Sequence, residues 1–306
     1  LAAGSAPRVV IVTRPTEYSR LLQQHGTLGQ ARFFLDRRGG SLDDLERIHQ
    51  QQARALATVE RGLPSDWRRS RVSRDELDRF LFEPEDLVAV VGQDGLVANV
   101  AKYLRGQPVV GVNPSPARYP GVLVPHPPEG AGQLLVAASQ GAAELESRVM
   151  VQADLDDGQQ LMALNEIFVG HASHQSARYV IRWEDREERQ SSSGLIVSSG
   201  TGATGWARSI HQERGSPLAL PAPCEPALVF FVREAWPSVA TGTSLVEGRL
   251  DANGQLVITS EMERGGVAFG DGIEADHIEL LWGQQLRIAL ASQRLNLVQD
   301  VGLPAA

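Results

Sequence analysis

The chain has 306 residues, 42% of them hydrophobic and 22% charged, which is enough for two ordinary domains, each with its own core. A formal net charge of −8 gives no general affinity for nucleic acid or acidic membranes, so an anionic ligand has to be held locally. The lone Cys224 excludes an internal disulfide framework and lacks the partners of a structural zinc site, which fits a reducing compartment.

Val9 to Val12 predicts a buried strand, followed by Arg14, Pro15 and a helix from Thr16. Ser41-Leu-Asp-Asp44 has the spacing of a capping box, with Asp in place of Glu. It opens a long helix with Leu45, Ile48, Ala53, Leu56 and Val59 on its apolar side, ended by Gly62 and Pro64. Trp67 to Ser73 predicts a short strand, and Ser73-Arg-Asp-Glu76 a second capping box that starts a helix through Leu77 and Phe80. Asp86 to Val91 reads DLVAVV, an apolar run of the kind buried on both faces of a parallel sheet. The period then changes, and Leu96, Val97, Val100 and Leu104 fall at helical spacing as far as Gly106 and Pro108.

Gly92, Asp94 and Gly95 therefore sit where a strand hands over to a helix N-terminus, a corner whose free N–H groups and dipole attract phosphate. A carboxylate repels that ligand. Asp94 is accordingly either a cap in a plain turn or, where phosphate binds, a base or a magnesium ligand. Pro108 to Val112 predicts another buried strand, ending at Asn113, and the alternation argues a doubly wound parallel sheet with ligands beyond its carboxyl edge. Asp94 and Asn113 then face one crevice. The loop Asn113-Pro-Ser-Pro-Ala-Arg118 is a turn on its plainest reading, while Arg118 offers a guanidinium fork to phosphate or carboxylate. Pro125 to Gly132 is punctuated like a linker, and the domain boundary is expected near there.

Beyond residue 146 strands dominate. Val149 to Ala153 and Leu161 to Val169 flank Asp156-Asp157-Gly158, Arg178 to Trp183 and Leu195 to Val197 flank a charged EDREER tip, and Leu250 to Ala252 and Gln255 to Ile258 flank Asn253-Gly254. Each pair reads as a hairpin, and together they read as an antiparallel β-sandwich. His171 and His174 lack a third ligand spaced for a metal and read as loop histidines. Asn165 and Glu166 place an amide beside a carboxylate within an apolar strand, where a nucleoside or a structural network would satisfy them equally well. Leu195 to Trp206 runs from a strand into a loop rich in glycine and hydroxyls and then a helix. It is a second backbone cradle for phosphate, although no Walker Gly-Lys-Ser/Thr follows.

In this order the pieces resemble the NAD kinase family, and more closely its mitochondrial-type branch. The family's Gly-Gly-Asp-Gly-Thr loop, Gly-x-Asn strand end, Asn-Glu pair, Gly/Ser/Thr-rich loop and late Asp-Gly look like Gly92-Gln93-Asp94-Gly95-Leu96, Gly111-Val112-Asn113, Asn165-Glu166, Ser198 to Trp206 and Asp271-Gly272. The branch-like features are Val12-Thr13-Arg14, Gly111 to Gly121 with its prolines, the run ALNEIFVG, Gly200-Thr-Gly202 ahead of Trp206, and Val232-Arg233-Glu234. The resemblance spans nearly the whole chain. It implies a Rossmann-like α/β domain (1–130) and an antiparallel β-sandwich domain (131–306) enclosing one active site, with Mg2+ and ATP as donor and the adenosine-ribose 2′-hydroxyl of NAD as acceptor.

The resemblance further implies that Asp94 is the general base and that Gly92 and Gly95 hold the diphosphate, with Asn113 and Arg118 also on the nucleotide. Asn165 and Glu166 then hold the nucleoside, and Ser198, Thr201, Gly202, Ala203 and Thr204 line the adenine and phosphate side, with the metal carried by ATP. The chain departs from the family at Gln93, Leu96 and Ser193. A related sugar or nucleoside kinase and a nucleotide-binding regulatory protein with a degraded site are the other readings. A homodimer is expected, using strands such as Leu228 to Val232 across a two-fold. No apolar run approaches the ~20 residues of a bilayer span. Leu1 to Arg8 is too short for a signal peptide, so the cytoplasm is the expected location.

Overall fold

A computed structural model of the protein describes residues 6–118 and 120–299, so the leading stretch is seen only from Ala6 onward. The chain divides into two compact units, 1–146 with 296–306, and 147–295. The change of unit falls at Glu146, some way beyond the expected linker.

The first unit opens with strand β1 (Arg8–Thr13) and helices α1 (Glu17–His25), α2 (Leu28–Asp36) and α3 (Leu42–Arg61). It continues through β2 (Arg68–Ser73), β3 (Leu87–Val91), α4 (Asp94–Ala101), β4 (Pro108–Val112) and α5 (Ala131–Ser139). The strands pair in parallel in the order β2-β1-β3-β4, reversing direction at β1 as a doubly wound sheet does. Val9, Ile11, Ala89 and Val110 pack against Ala55 and Val59 of α3 and Leu134 and Leu135 of α5. Ala55 occupies the core face, whereas Ala53 is exposed, because the helical period aligns residue 55 with 59. The buried Asp86 takes both guanidinium bonds of Arg8 at 2.6 Å, joining the start of β1 to the entry of β3. Ser41 accepts from the Asp44 N–H as its spacing predicts. The box at Ser73 also closes, but on a 3-10 turn (Arg74–Arg79) rather than an α-helix.

The chain then builds β5 (Leu145–Leu155), β6 (Gln160–Ala163), β7 (Glu166–His171), β8 (Ala177–Trp183), β9 (Arg186–Ser192), β10 (Leu195–Ser198) and α6 (Trp206–Arg214). The strands β11 (Leu228–Val232), β12 (Glu247–Leu250), β13 (Gln255–Ser260), β14 (Gly266–Gly270), β15 (His277–Leu280) and β16 (Gln285–Val298) follow. In the second unit one antiparallel sheet runs β16-β13-β8-β9, with β5 between β16 and β6, and the other runs β12-β11-β10-β7-β14-β15. Val151, Tyr179, Ile181 and Ile258 from the first meet Ile167, Val197, Phe230 and Ala268 from the second in one sandwich core. The end of β16 belongs to the first unit, where Asn296 and Leu297 pair with Pro108 and Val109 of β4. No described helix is long and apolar enough to cross a membrane.

The hairpin across Asp156-Asp157-Gly158 forms as expected between β5 and β6, but the two other expected hairpins change. The partner of β8 is β9, so most of the charged EDREER run is strand and Leu195–Ser198 belongs to the other sheet. The Asn253-Gly254 turn joins β12 to β13 across the two sheets instead of closing a hairpin. Leu161 to Val169 is not one strand either, since a bend at Leu164 and Asn165 sends β6 and β7 into different sheets. The Leu228–Val232 strand is also no edge. It is buried throughout and paired with β10 and β12, leaving β12 and β15 as the outer strands.

Candidate functional site

The first cluster lies at the carboxyl end of β3. Gly92 is buried, Gln93 and Gly95 are exposed, and Asp94 is the first residue of α4. Asp94 does not cap its helix. Its carboxylate instead accepts the backbone N–H groups of Val122 (3.0 Å), Leu123 (2.7 Å) and Val124 (3.2 Å), reaching a segment far along the chain. That segment lies against β4 because Gly111 has no side chain; a Cβ there would come within 1.9 Å of the Leu123 carbonyl oxygen. A carboxylate offers about four acceptor directions, so one remains for a ligand hydroxyl. A Cβ on Gly95, by contrast, would meet no atom within 4 Å. The helix start is uncovered at that point, which leaves room for an anion, while the Leu96 N–H is already bonded to the Gln93 carbonyl at 2.9 Å and the Gly92 N–H to that of Val112 at 3.0 Å.

Asn113 is tied to the same segment, its N–H donating to the His126 carbonyl at 2.8 Å while its side-chain oxygen accepts the Ser115 N–H at 2.9 Å. It is thus an Asx turn that holds the following loop. Arg118 is exposed at the end of that loop, where it lines a cavity of about 470 Å³ with Arg47, Gln51 and Ser115.

The second cluster lies where β6 gives way to β7. Leu164 and Asn165 donate their N–H groups to the carboxylate of Asp271 at 3.0 and 2.7 Å, and the Asp271 N–H donates to the Glu166 carbonyl at 3.0 Å. From the other side the Ser199 hydroxyl donates to the Leu164 carbonyl, and the Ser199 N–H to that of Asn165 at 2.8 Å. The loop after β10 approaches so closely that a Cβ on Gly202 would lie 2.3 Å from the Asn165 carbonyl oxygen. Ser198 also reaches Asn165 O (3.3 Å), Ala203 N–H bonds Ser199 O (2.9 Å), and Thr204 Oγ bonds Thr201 O (2.8 Å). The backbone around Asn165 and Glu166 is fixed, yet neither side chain is hydrogen-bonded to another described residue, and both are partly exposed. The hydroxyl of Thr201, a residue only 4% exposed, is also without a hydrogen-bond partner among the described residues.

Glu166 shares a face of β7 with Phe168, opposite to Ile167 and Val169 in the sandwich core. Burial, with the negative charge of Asp271 adding to it, pushes the Glu166 carboxyl up to about 7. Farther along that face Phe168 lies nearly parallel to Trp206, their ring centres 6.1 Å apart, with the Arg233 guanidinium 5.3 Å from the Trp206 ring centre. These residues line a cavity of about 540 Å³ that also takes in His171, His174 and Ser193. Among the described residues no three of His, Cys, Asp or Glu are grouped to hold a metal ion.

The predicted residues thus form two groups. Asp94, Gly92, Gly95, Asn113 and Arg118 belong to the first unit, and Asn165, Glu166, Ser198, Thr201, Gly202, Ala203 and Thr204 to the second. Sequence reasoning picked out Asp271-Gly272 and the loop that contains Ser199, but missed that both residues clamp the bend, since bonds spanning 106 and 35 residues leave no local signal.

No family model matches the chain. It is 33% identical over 219 residues to an NAD kinase of Methylococcus capsulatus, covering 65% of this chain and 70% of that protein. To an NAD kinase of Psychrobacter arcticus it is 31% identical over 173 residues, 52% of this chain and half (50%) of that one. Among solved structures, an NAD kinase from Archaeoglobus fulgidus in complex with ATP matches with a TM-score of 0.59 at 17% identity, covering 96% of this chain and 94% of that one. Yeast NADH kinase complexed with NADH matches with a TM-score of 0.58 at 14% identity, covering 98% and 85%. The two-unit fold is the one those structures have, and with the Methylococcus relative matched over more than two thirds of its length, the chain belongs to the NAD kinase family.

Proposed function

We propose that this protein is an NAD kinase that transfers the γ-phosphoryl group of Mg-ATP to the adenosine-ribose 2′-hydroxyl of NAD, giving NADP and ADP. What carries the reading at the site is the state of Asn165 and Glu166, whose backbone is pinned while the amide and carboxyl stay uncommitted. An amide suits an adenine edge, and a carboxylate accepts from ribose hydroxyls. The buried, unpartnered hydroxyl of Thr201 adds a third polar group on the same loop system.

In this reading Asp94 is the general base. The ribose oxygen attacks the γ-phosphorus, the bond to the β–γ bridging oxygen breaks with its electron pair leaving on ADP, and the hydroxyl proton passes to Asp94. The Gly95 N–H and the start of α4 face the phosphates, Gly92, whose own N–H is taken by the Val112 carbonyl at 3.0 Å, lets them approach by lacking a side chain, and Arg118 is a further phosphate contact. Strand order supports that placement, since the sheet reverses between β1 and β3, whose carboxyl ends carry Thr13-Arg14 and Gly92 to Gly95. Magnesium, when bound, screens the phosphate oxygens, mostly through ATP itself. We further place the chain near the mitochondrial-type branch, in the cytoplasm and as a homodimer. Dimerisation would have to use surfaces other than the buried Leu228–Val232 strand.

The purified protein is incubated with Mg-ATP and NAD, and NADP is read with an NADP-dependent dehydrogenase. NADP formation that falls about 10²-fold or more in Asp94→Asn supports the kinase with this base. Tight NAD binding without turnover, unchanged by the substitution, points to a regulatory protein, and absence of both points to another acceptor.

A further inference from the structure

We propose that Asp271 is the positioning residue for the acceptor: its carboxylate, split between the N–H groups of Leu164 and Asn165, aims the Asn165 amide and the Glu166 carboxyl at the acceptor nucleoside. This rests on the reading above that these two side chains hold the nucleoside. Asp271 and Gly272 both have left-handed backbone, with φ 52° and 68°, and the Ile273 N–H closes the turn onto the Gly270 carbonyl at 3.0 Å. A non-glycine residue in that conformation is strained unless its side chain makes local hydrogen bonds. Here the carboxylate is committed instead to two N–H groups 107 and 106 residues away, one of them on the fully buried Leu164.

The turn's strain therefore serves the bend. Without Asp271 both N–H groups lose their acceptors in surroundings that offer no replacement from water at Leu164. Ser199 holds only the carbonyls of the same residues, so it restrains the bend without restoring the lost bonds. The pair of side chains is then free to rotate about the bend, and the cost falls on whatever they hold. Asp271 donates nothing to the acceptor itself.

The test compares wild type and Asp271→Asn, varying NAD at saturating Mg-ATP and Mg-ATP at saturating NAD, with NAD affinity also measured calorimetrically in the absence of donor. The amide keeps one acceptor oxygen and loses the second bond, so KM and Kd for NAD should rise about tenfold while KM for ATP holds. A folded variant with unchanged NAD affinity, or with both substrates weakened equally, overturns the assignment. Should Asp271→Asn fail to fold, Gly272→Ala strains the turn at φ 68° with the carboxylate retained, and it should weaken NAD selectively; unchanged NAD affinity there overturns the assignment as well. Wild type that binds NAD but makes no NADP removes the kinase reading and leaves the calorimetric comparison to decide Asp271. Wild type that does not bind NAD overturns both.

Discussion

The carboxylate of Asp94 accepts the backbone N–H of Leu123 at 2.7 Å, with Val122 and Val124 bonded to the same group. The residue proposed as base is therefore also the anchor of the segment that follows β4. Asp94→Asn keeps one acceptor oxygen but points an amide N–H at a backbone N–H, so it should lower stability by about 1–3 kcal/mol as well as activity. Denaturant unfolding measures the first effect and NADP formation the second. Loss of activity with unaltered stability would show that these three bonds contribute nothing to the fold.

Glu166 predicts a trade between stability and binding. Its carboxyl lies raised at about 7 through burial and the Asp271 charge, against the ordinary 4.5. The folded state thus binds more protons than the unfolded state between those values, so stability falls as pH rises through that window and the full cost is present above 7. Glu166→Gln removes the buried charge and should stabilise the protein at pH 8 by on the order of 1–3 kcal/mol, with the gain fading at pH 4. NAD binding by wild type should strengthen as pH rises through about 7, because the carboxylate is the form that accepts ribose hydroxyls, and this dependence should vanish in Glu166→Gln. Equal melting curves for both proteins at pH 8 would refute the buried charge.

Two glycines separate what the fold needs from what a ligand needs. Gly111→Ala places a methyl group 1.9 Å from the Leu123 carbonyl oxygen, a backbone atom that cannot move aside cheaply, and should cost about 3 kcal/mol or more. Gly95→Ala enters open space within a helix and should stabilise by up to about 1 kcal/mol. If phosphate approaches the helix start, the same methyl group raises KM for ATP. A Gly95→Ala protein with wild-type kinetics would remove the diphosphate from that corner.

These contrasts explain how much was legible in the sequence. The β3–α4 corner could be read because its signals are local: an apolar run, a change of period and two glycines within a few residues. What Asp94 bonds could not be read, since its partners lie about thirty positions away and no periodicity connects them. The Asn165–Glu166 pair was visible as polar residues in an apolar stretch, but the bend that exposes them depends on Asp271, 106 residues later. Strand β9 was hidden for another reason. Its charged residues Arg186 to Arg189 are consecutive and include Glu188, whose carboxylate is satisfied by a distant loop, so composition suggested a solvated tip where the chain forms a ladder.

That same Glu188 supports a prediction independent of nucleotide chemistry. Its carboxylate accepts the N–H groups of Ser244 and Leu245, each at 3.1 Å, together with the Ser244 hydroxyl and the Gln190 amide. Burial pushes this carboxyl upward, but those hydrogen bonds outweigh it and hold the group below its ordinary value. A depressed group stabilises the fold above its unfolded value of 4.5, and the contribution is lost as pH falls through the lower folded value. Glu188→Ala should therefore destabilise the second unit by about 2 kcal/mol at pH 7, by freeing the loop from Gly242 to Leu245, and much less at pH 3. Hydrogen exchange of the Ser244 and Leu245 amides, compared at the two pH values after correction for intrinsic rates, locates the effect. Protection that persists in Glu188→Ala at pH 7 would show that β9 holds this loop through its backbone alone.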